Sequence, residues 1–253
     1  MPQVRWRIPA VIFIFCALAV GLTGCGFRVG SPEANEDASD DVLAAQLKIE
    51  DQAWALRSNF FRPDFGPEWR EIRQAGADKP TMGLPFQTCL AAAQGSALDA
   101  ATISADAGSP RFTRPNGAFA ASNALVTTDP AVAASLYELS KTPEFTTCVA
   151  QNTIDFRANA PIETAGTSAL DMDVSAGDST STRVNLTYPA RGANEDFVAD
   201  FTVVQVDRAL LALWFANPGT PTVQADEDAV VDALVARLTT LPSETSVTAT
   251  TDS

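Results

Sequence analysis

The 253-residue chain carries 17 basic and 31 acidic side chains, and it has no histidine. The missing imidazole removes histidine-dependent nucleophilic triads, His-ligated zinc and the commonest pH switch. A net charge of −14 with only three lysines (Lys48, Lys79 and Lys141) argues against nucleic acid as a partner, because duplex binding rests on Lys and Arg neutralising phosphates. At 46% hydrophobic and 19% charged residues the composition is globular, and the length suffices for a sizeable core without structural metal.

Arg5 and Arg7 form a short basic start, followed by an uncharged run from Ile8 and then Leu22-Thr23-Gly24-Cys25. A basic region, an apolar core and small residues before a cleavage point describe a secretory leader, residues 1–24. The competing reading is an uncleaved membrane-spanning helix, since residues 8–27 carry no charge. Pro9, Gly21, Gly24 and Gly26 weaken that helix.

Leu22-Thr-Gly-Cys25 resembles the bacterial lipobox. The resemblance implies cleavage between Gly24 and Cys25, a thioether-linked diacylglycerol on Cys25 and a fatty-acyl chain such as palmitate on the new amino terminus. Two or three chains give stable anchoring where one is marginal. The expected place is therefore the extracytoplasmic side of the cell membrane, held by lipid. The mature chain then has 15 basic and 31 acidic residues, a net charge of −16, and is repelled by an anionic bilayer surface.

Cleavage also simplifies the cysteines. Cys16 leaves with the leader and Cys25 is lipidated, so Cys89 and Cys148 remain in a compartment where disulfides persist. One bridge is possible; the alternative is two buried free thiols. By the chain-entropy argument a loop of this length stabilises by up to about 4 kcal/mol.

Residues 25–40 read as the lipidated cysteine and a polar tether, reaching roughly 20 Å. Asp40 to Ser58 reads as a helix with Val42, Leu43, Leu47, Ala53 and Trp54 on an apolar stripe. Arg62-Pro-Asp-Phe-Gly-Pro67 breaks the pattern, and the segment from Glu68 to Ile72 opens as a strand. Cys89-Leu-Ala-Ala-Ala93 is a short helical stretch. Residues 111–114 and 118–127 are strand candidates. Asp129-Pro130 is a helix start, an N-cap acid before a first-turn proline, and Val132, Leu136 and Leu139 follow at core spacing. Thr142-Pro143-Glu144 repeats the signal, placing Phe145, Cys148, Val149 and Asn152 on one face.

The second half alternates as sheet. Val184, Leu186 and Tyr188 share one face, as do Phe197, Ala199, Phe201 and Val203. Asp207-Arg208 is a tight turn, and Leu210 to Phe215 is apolar throughout, as in a strand covered on both sides. A final helix spans about Gln224 to Leu238, with Thr222 as its cap and Asp226, Glu227 and Asp228 as a solvated first turn. Residues 243–253 read as a disordered Ser/Thr-rich tail. Strands joined by short turns, with helices grouped between and after them, predict one α+β domain over residues 41–242, an antiparallel sheet packed against helices.

This arrangement resembles the extracytoplasmic domains of actinobacterial lipoproteins and of the PknH-type kinase sensor. The residues that carry the likeness are Cys89, the segment Ser140-Lys-Thr-Pro-Glu-Phe-Thr-Thr-Cys-Val149, the hairpin from Phe197 to Phe215 and the helix around Val230 to Leu238. The resemblance implies an antiparallel sheet backed by helices, with a cleft for an envelope ligand. Kinase members carry two disulfides where this chain can form one, and no kinase segment is present.

Other motifs point away from chemistry. Asp171-Met-Asp-Val-Ser-Ala-Gly-Asp178 looks like a calcium loop but places Gly177 seventh and lacks the distal Glu, so a half-buried strand in which Leu170, Met172 and Val174 alternate explains it better. No phosphate-binding glycine loop, Cys-x-x-Cys or nucleophile-elbow motif occurs. Trp54, Trp69 and Trp214 are expected in the core. The reading is a non-enzymatic, lipid-anchored envelope lipoprotein that needs no metal or cofactor and binds an envelope ligand or protein, sensor-like in type. The alternatives are a lipid carrier with an apolar cavity and a carboxylate-based hydrolase.

Overall fold

The computed structural model describes residues 36–72, 86–156, 164–170, 174, 177–190, 193–221 and 224–239. The tether reading of residues 25–35, the Thr222 cap, Met172 and the tail lie outside the described residues. One α+β domain results: five helices and eight strands, among the described residues, in a single antiparallel sheet.

In chain order these are α1 (Glu36–Arg57), β1 (Arg70–Ile72), α2 (Phe86–Gln94), β2 (Ile103–Gly108), β3 (Arg111–Thr113), β4 (Phe119–Thr127), α3 (Pro130–Ser140), α4 (Pro143–Phe156), β5 (Thr164–Leu170), β6 (Asp178–Ala190), β7 (Ala193–Val206), β8 (Ala209–Pro218) and α5 (Gln224–Thr239). The sheet order is β1-β3-β4-β8-β7-β6-β5, with β2 lying end to end with β3 along the same edge of β4.

β8 shows why the molecule has three layers. Its residues from Ala209 to Asn217 are all buried, and alternate side chains go to opposite faces. Leu211, Leu213 and Phe215 join a core with Ala55 of α1 and Val231, Leu234, Val235 and Leu238 of α5. Leu210, Ala212, Trp214 and Ala216 join a second core with α2, α3 and α4. Edge-to-face rings fill both: Phe60 against Phe215 (5.4 Å) in the first, Phe119 against Trp214 (5.0 Å) in the second. Of the tryptophans expected inside, Trp69 and Trp214 are buried and Trp54 is half-buried.

The expected stripe of α1 is met in part: Ala53 and Trp54 are half-buried, Trp54 against the core, and the side chains of Val42 and Leu43 lie outside the described residues. The helix starts at Glu36, inside the stretch read as tether; among its described side chains the buried ones are Asp51 and Ala55, with Ser58 just beyond its end, and Leu47 is exposed. The reason is an ion pair. Arg208, at the β7–β8 turn, donates to both Asp51 carboxylate oxygens (2.9 and 3.1 Å) and to Thr127 O (2.9 Å). Ser104 Oγ donates to the same carboxylate. A buried charge is tolerated when it is paired and hydrogen-bonded, so here a charged residue, not a leucine, directs the helix onto the sheet.

β2 and β5 carry no period strong enough to have been expected. Between β2 and β3 the chain bends at Ser109-Pro110, and Ser122 of β4 bridges the bend: Ser122 N donates to Ser109 Oγ, and Ser109 N to Ser122 O, both 2.8 Å. The strand expected from the alternation of Leu170, Met172 and Val174 lies for the most part outside the described residues; Leu170 is the last described residue of β5. Gly177 then turns into β6 with φ +86°, and a Cβ there would strike the Gln205 carbonyl oxygen, so glycine is required.

Candidate functional site

α2 ends at Gln94 because Gly95 adopts φ +74°, with Ser96 N bonded to Ala91 O and Gly95 N to Ala92 O, a Schellman closure. The chain next reaches Leu98 and Asp99. Asp99 Oδ1 accepts from Ala101 N (2.9 Å) and caps a 3-10 turn over Ala100–Thr102. Thr102 O accepts from Thr128 N (3.0 Å), which ties this turn to the start of α3. There Asp129 Oδ1 accepts from Ala131 N (2.6 Å), as the Asp-Pro pair predicts, and Thr127 Oγ1 donates to Asp129 O (2.8 Å).

Between these two capped segments lies a cavity of about 630 Å³. Leu98, Val132, Leu136 and Leu139 give it an apolar lining, and Gln94, Thr102, Ser135, Asp99 and Asp129 line it as well. Val132, Leu136 and Leu139 match the helical spacing read as core. Only Leu136 is buried; Val132 and Leu139 are half-buried because their stripe faces the cavity. The signal for a cavity was an apolar stripe adjoining a loop with two helix-capping acids, and it cannot be told from a core stripe by spacing alone.

The disulfide braces this region. Cys89 of α2 and Cys148 of α4 are joined, with Cα atoms 5.4 Å apart. Asn152 Nδ2 donates to Cys148 O (2.9 Å) and lies 3.5 and 3.7 Å from the two sulfurs. Phe145, Cys148, Val149 and Asn152 do share one face, toward α2 and the sheet. Tyr137, on the buried side of α3, has its pKa pushed up to about 12 by burial, with Asp178 and Glu138 adding to the effect.

Gly24 and Cys25 lie outside the described residues. So do Asp171 and Asp173 of the calcium-like loop, and among the described residues no cluster of three or more Cys, Asp or Glu could hold a metal. The acidic start of α5 is not wholly solvated, contrary to expectation. Asp226 is exposed, but Glu227 is fully buried. Its charge acts on Arg183, whose pKa is raised chiefly by its hydrogen bonds to Asp200 (2.6 and 2.8 Å).

Among the described residues no helix is long and apolar enough to cross a membrane. No protein-family model matches the chain, and no curated protein matches it. Among solved structures it is similar to LpqN, involved in cell envelope biogenesis of Mycobacterium tuberculosis, at 12% identity and a TM-score of 0.27, over 68% of this chain and 76% of that one. It is also similar to PA94, a protein of unknown function from Pseudomonas aeruginosa, at 13% identity and a TM-score of 0.18, over 52% and 76%. At such TM-scores neither likeness bears on what this chain does.

Proposed function

We propose that this chain is a lipoprotein anchored through Cys25 on the extracytoplasmic side of the cell membrane, and that its domain binds an envelope ligand in the α2–α3 cavity without catalysis. The observation that carries the reading is the cavity itself. About 630 Å³ lies within the range of small-molecule sites, and an apolar lining with a few placed polar groups is their usual chemistry. Asp99 and Asp129 each commit an oxygen to a cap and still present negative charge at the rim, so the matching ligand has an apolar body and a hydrogen-bond-donating or cationic head. A sensor-type role is the form of ligand binding that the sequence resemblance favours.

Native mass spectrometry of the mature protein tests this, with Ser135→Trp as the comparison. Ser135 is exposed on the cavity wall, so an indole there obstructs the cavity and leaves the core untouched. The expected result is a co-purifying apolar mass on the parent that Ser135→Trp loses at unchanged melting temperature. A bare parent mass, or retention of the ligand by the variant, would overturn the assignment.

A further inference from the structure

The two ends of the sheet are treated differently. At one end β1 is only three residues long and carries Arg70 and Glu71. Beside it, β2 has its Asp106 and Ala107 carbonyls occupied by Gln52 Nε2 (3.1 Å) and Asn59 Nδ2 (2.9 Å). Shortness, charge and covering side chains are the ordinary means by which proteins prevent edge-to-edge pairing.

At the other end none of them is found among the described residues. β5 reads Thr164-Ala-Gly-Thr-Ser-Ala-Leu170: seven residues, no charge, no proline. Its ladder to β6 runs in unbroken register from Thr164↔Thr187 to Leu170↔Ser181, with no bulge to twist the edge away. Residues 165–169 are exposed on both faces, and a Cβ on Gly166 would meet nothing within 4 Å. Among the described residues no strand pairs with its outer side.

We propose that β5 is a dimerisation edge, and that its occupant is the β5 of a second copy, paired antiparallel about a two-fold axis at Thr167. Strand addition takes affinity from backbone hydrogen bonds and specificity from pockets for alternate side chains. An edge of Ala, Gly, Ser and Thr offers no such pockets to a foreign segment. It does fit itself. About Thr167 the register sets Gly166 opposite Ser168 and Ala165 opposite Ala169, each pair small and uncharged, so the contact is self-complementary as a two-fold interface requires. A seven-residue contact falls below about 1,200 Å², the size of transient interfaces, so the dimer is a weak one. The −14 charge of each chain opposes it, which makes added salt promote the pairing, the reverse of a charge-driven contact.

Cysteine scanning of the full chain tests the axis. Opposed residues in an antiparallel pair have Cα atoms about 4.5 or 5.5 Å apart, and both separations lie within disulfide reach. Thr167→Cys is expected to give a covalent dimer as the major species on mild oxidation, above the baseline of the parent chain. Ala165→Cys and Ala169→Cys are expected to cross-link when mixed and not alone, since each lies about 13 Å from its own copy. Gly166→Lys, which puts like charges on one face across the axis, is expected to abolish the Thr167→Cys dimer, with an unchanged melting temperature reporting the fold. No dimer above the parent baseline from folded Thr167→Cys overturns the proposal. So does cross-linking of Ala165→Cys with itself as efficiently as with Ala169→Cys.

Discussion

Tyr137 holds its proton far into the alkaline range because its ring lies in the second core, where the phenolate would be desolvated beside Asp178 and Glu138. In the unfolded chain the group titrates near 10. Between about pH 10 and 12 the unfolded state has therefore lost a proton that the folded state keeps, and stability falls as pH rises through that window. Tyr137→Phe is expected to flatten this decline, read as urea midpoints across the alkaline range; an unchanged slope would put the loss elsewhere. Glu227 makes the same point at residue scale. Read in sequence it is one of three acids at a helix start, yet it is the one turned into the protein, toward the Arg183–Asp200 pair. Which member of an acidic triplet is buried depends on the sheet beneath it, and no local pattern carries that information.

At the scale of elements the disulfide sets the geometry of the cavity. It closes a loop of 59 residues between α2 and α4, and α2 supplies one wall through Gln94. The double variant Cys89→Ser, Cys148→Ser is expected to lose up to about 4 kcal/mol, measured as a shift in the denaturant midpoint at constant slope. It should weaken ligand retention along with stability, which separates it from Ser135→Trp. The elements that were legible had strong local marks. Asp129-Pro130 and Thr142-Pro143 announce helices, and β7 and β8 show clean alternation or an unbroken apolar run. β5 and β2 lacked such marks. Thr-Ala-Gly-Thr-Ser-Ala has almost no hydrophobic contrast between faces because both faces are exposed. β2 is short and pairs with a register shift between Ile103 and Ala105. The cavity was half legible: its residues were visible, but their exposure depended on where the Leu98 loop packs.

At the scale of the whole molecule, the proposed lipid anchor and the folded body are separable. Cys25→Ala is expected to abolish acyl labelling and leave an unprocessed precursor, while the domain built from residues 36–239 keeps its fold and its cavity. Continued labelling would refute the lipobox. Among the described residues β8 alone joins the half-sheet of β1 to β4 to the half-sheet of β5 to β7, and it is the last strand in chain order. β8 puts Leu211, Leu213 and Phe215 into one core and Leu210, Ala212, Trp214 and Ala216 into the other, so without it neither core is complete. A chain cut before β8 would therefore present two half-sheets with open edges in place of one domain, a form prone to edge-to-edge association.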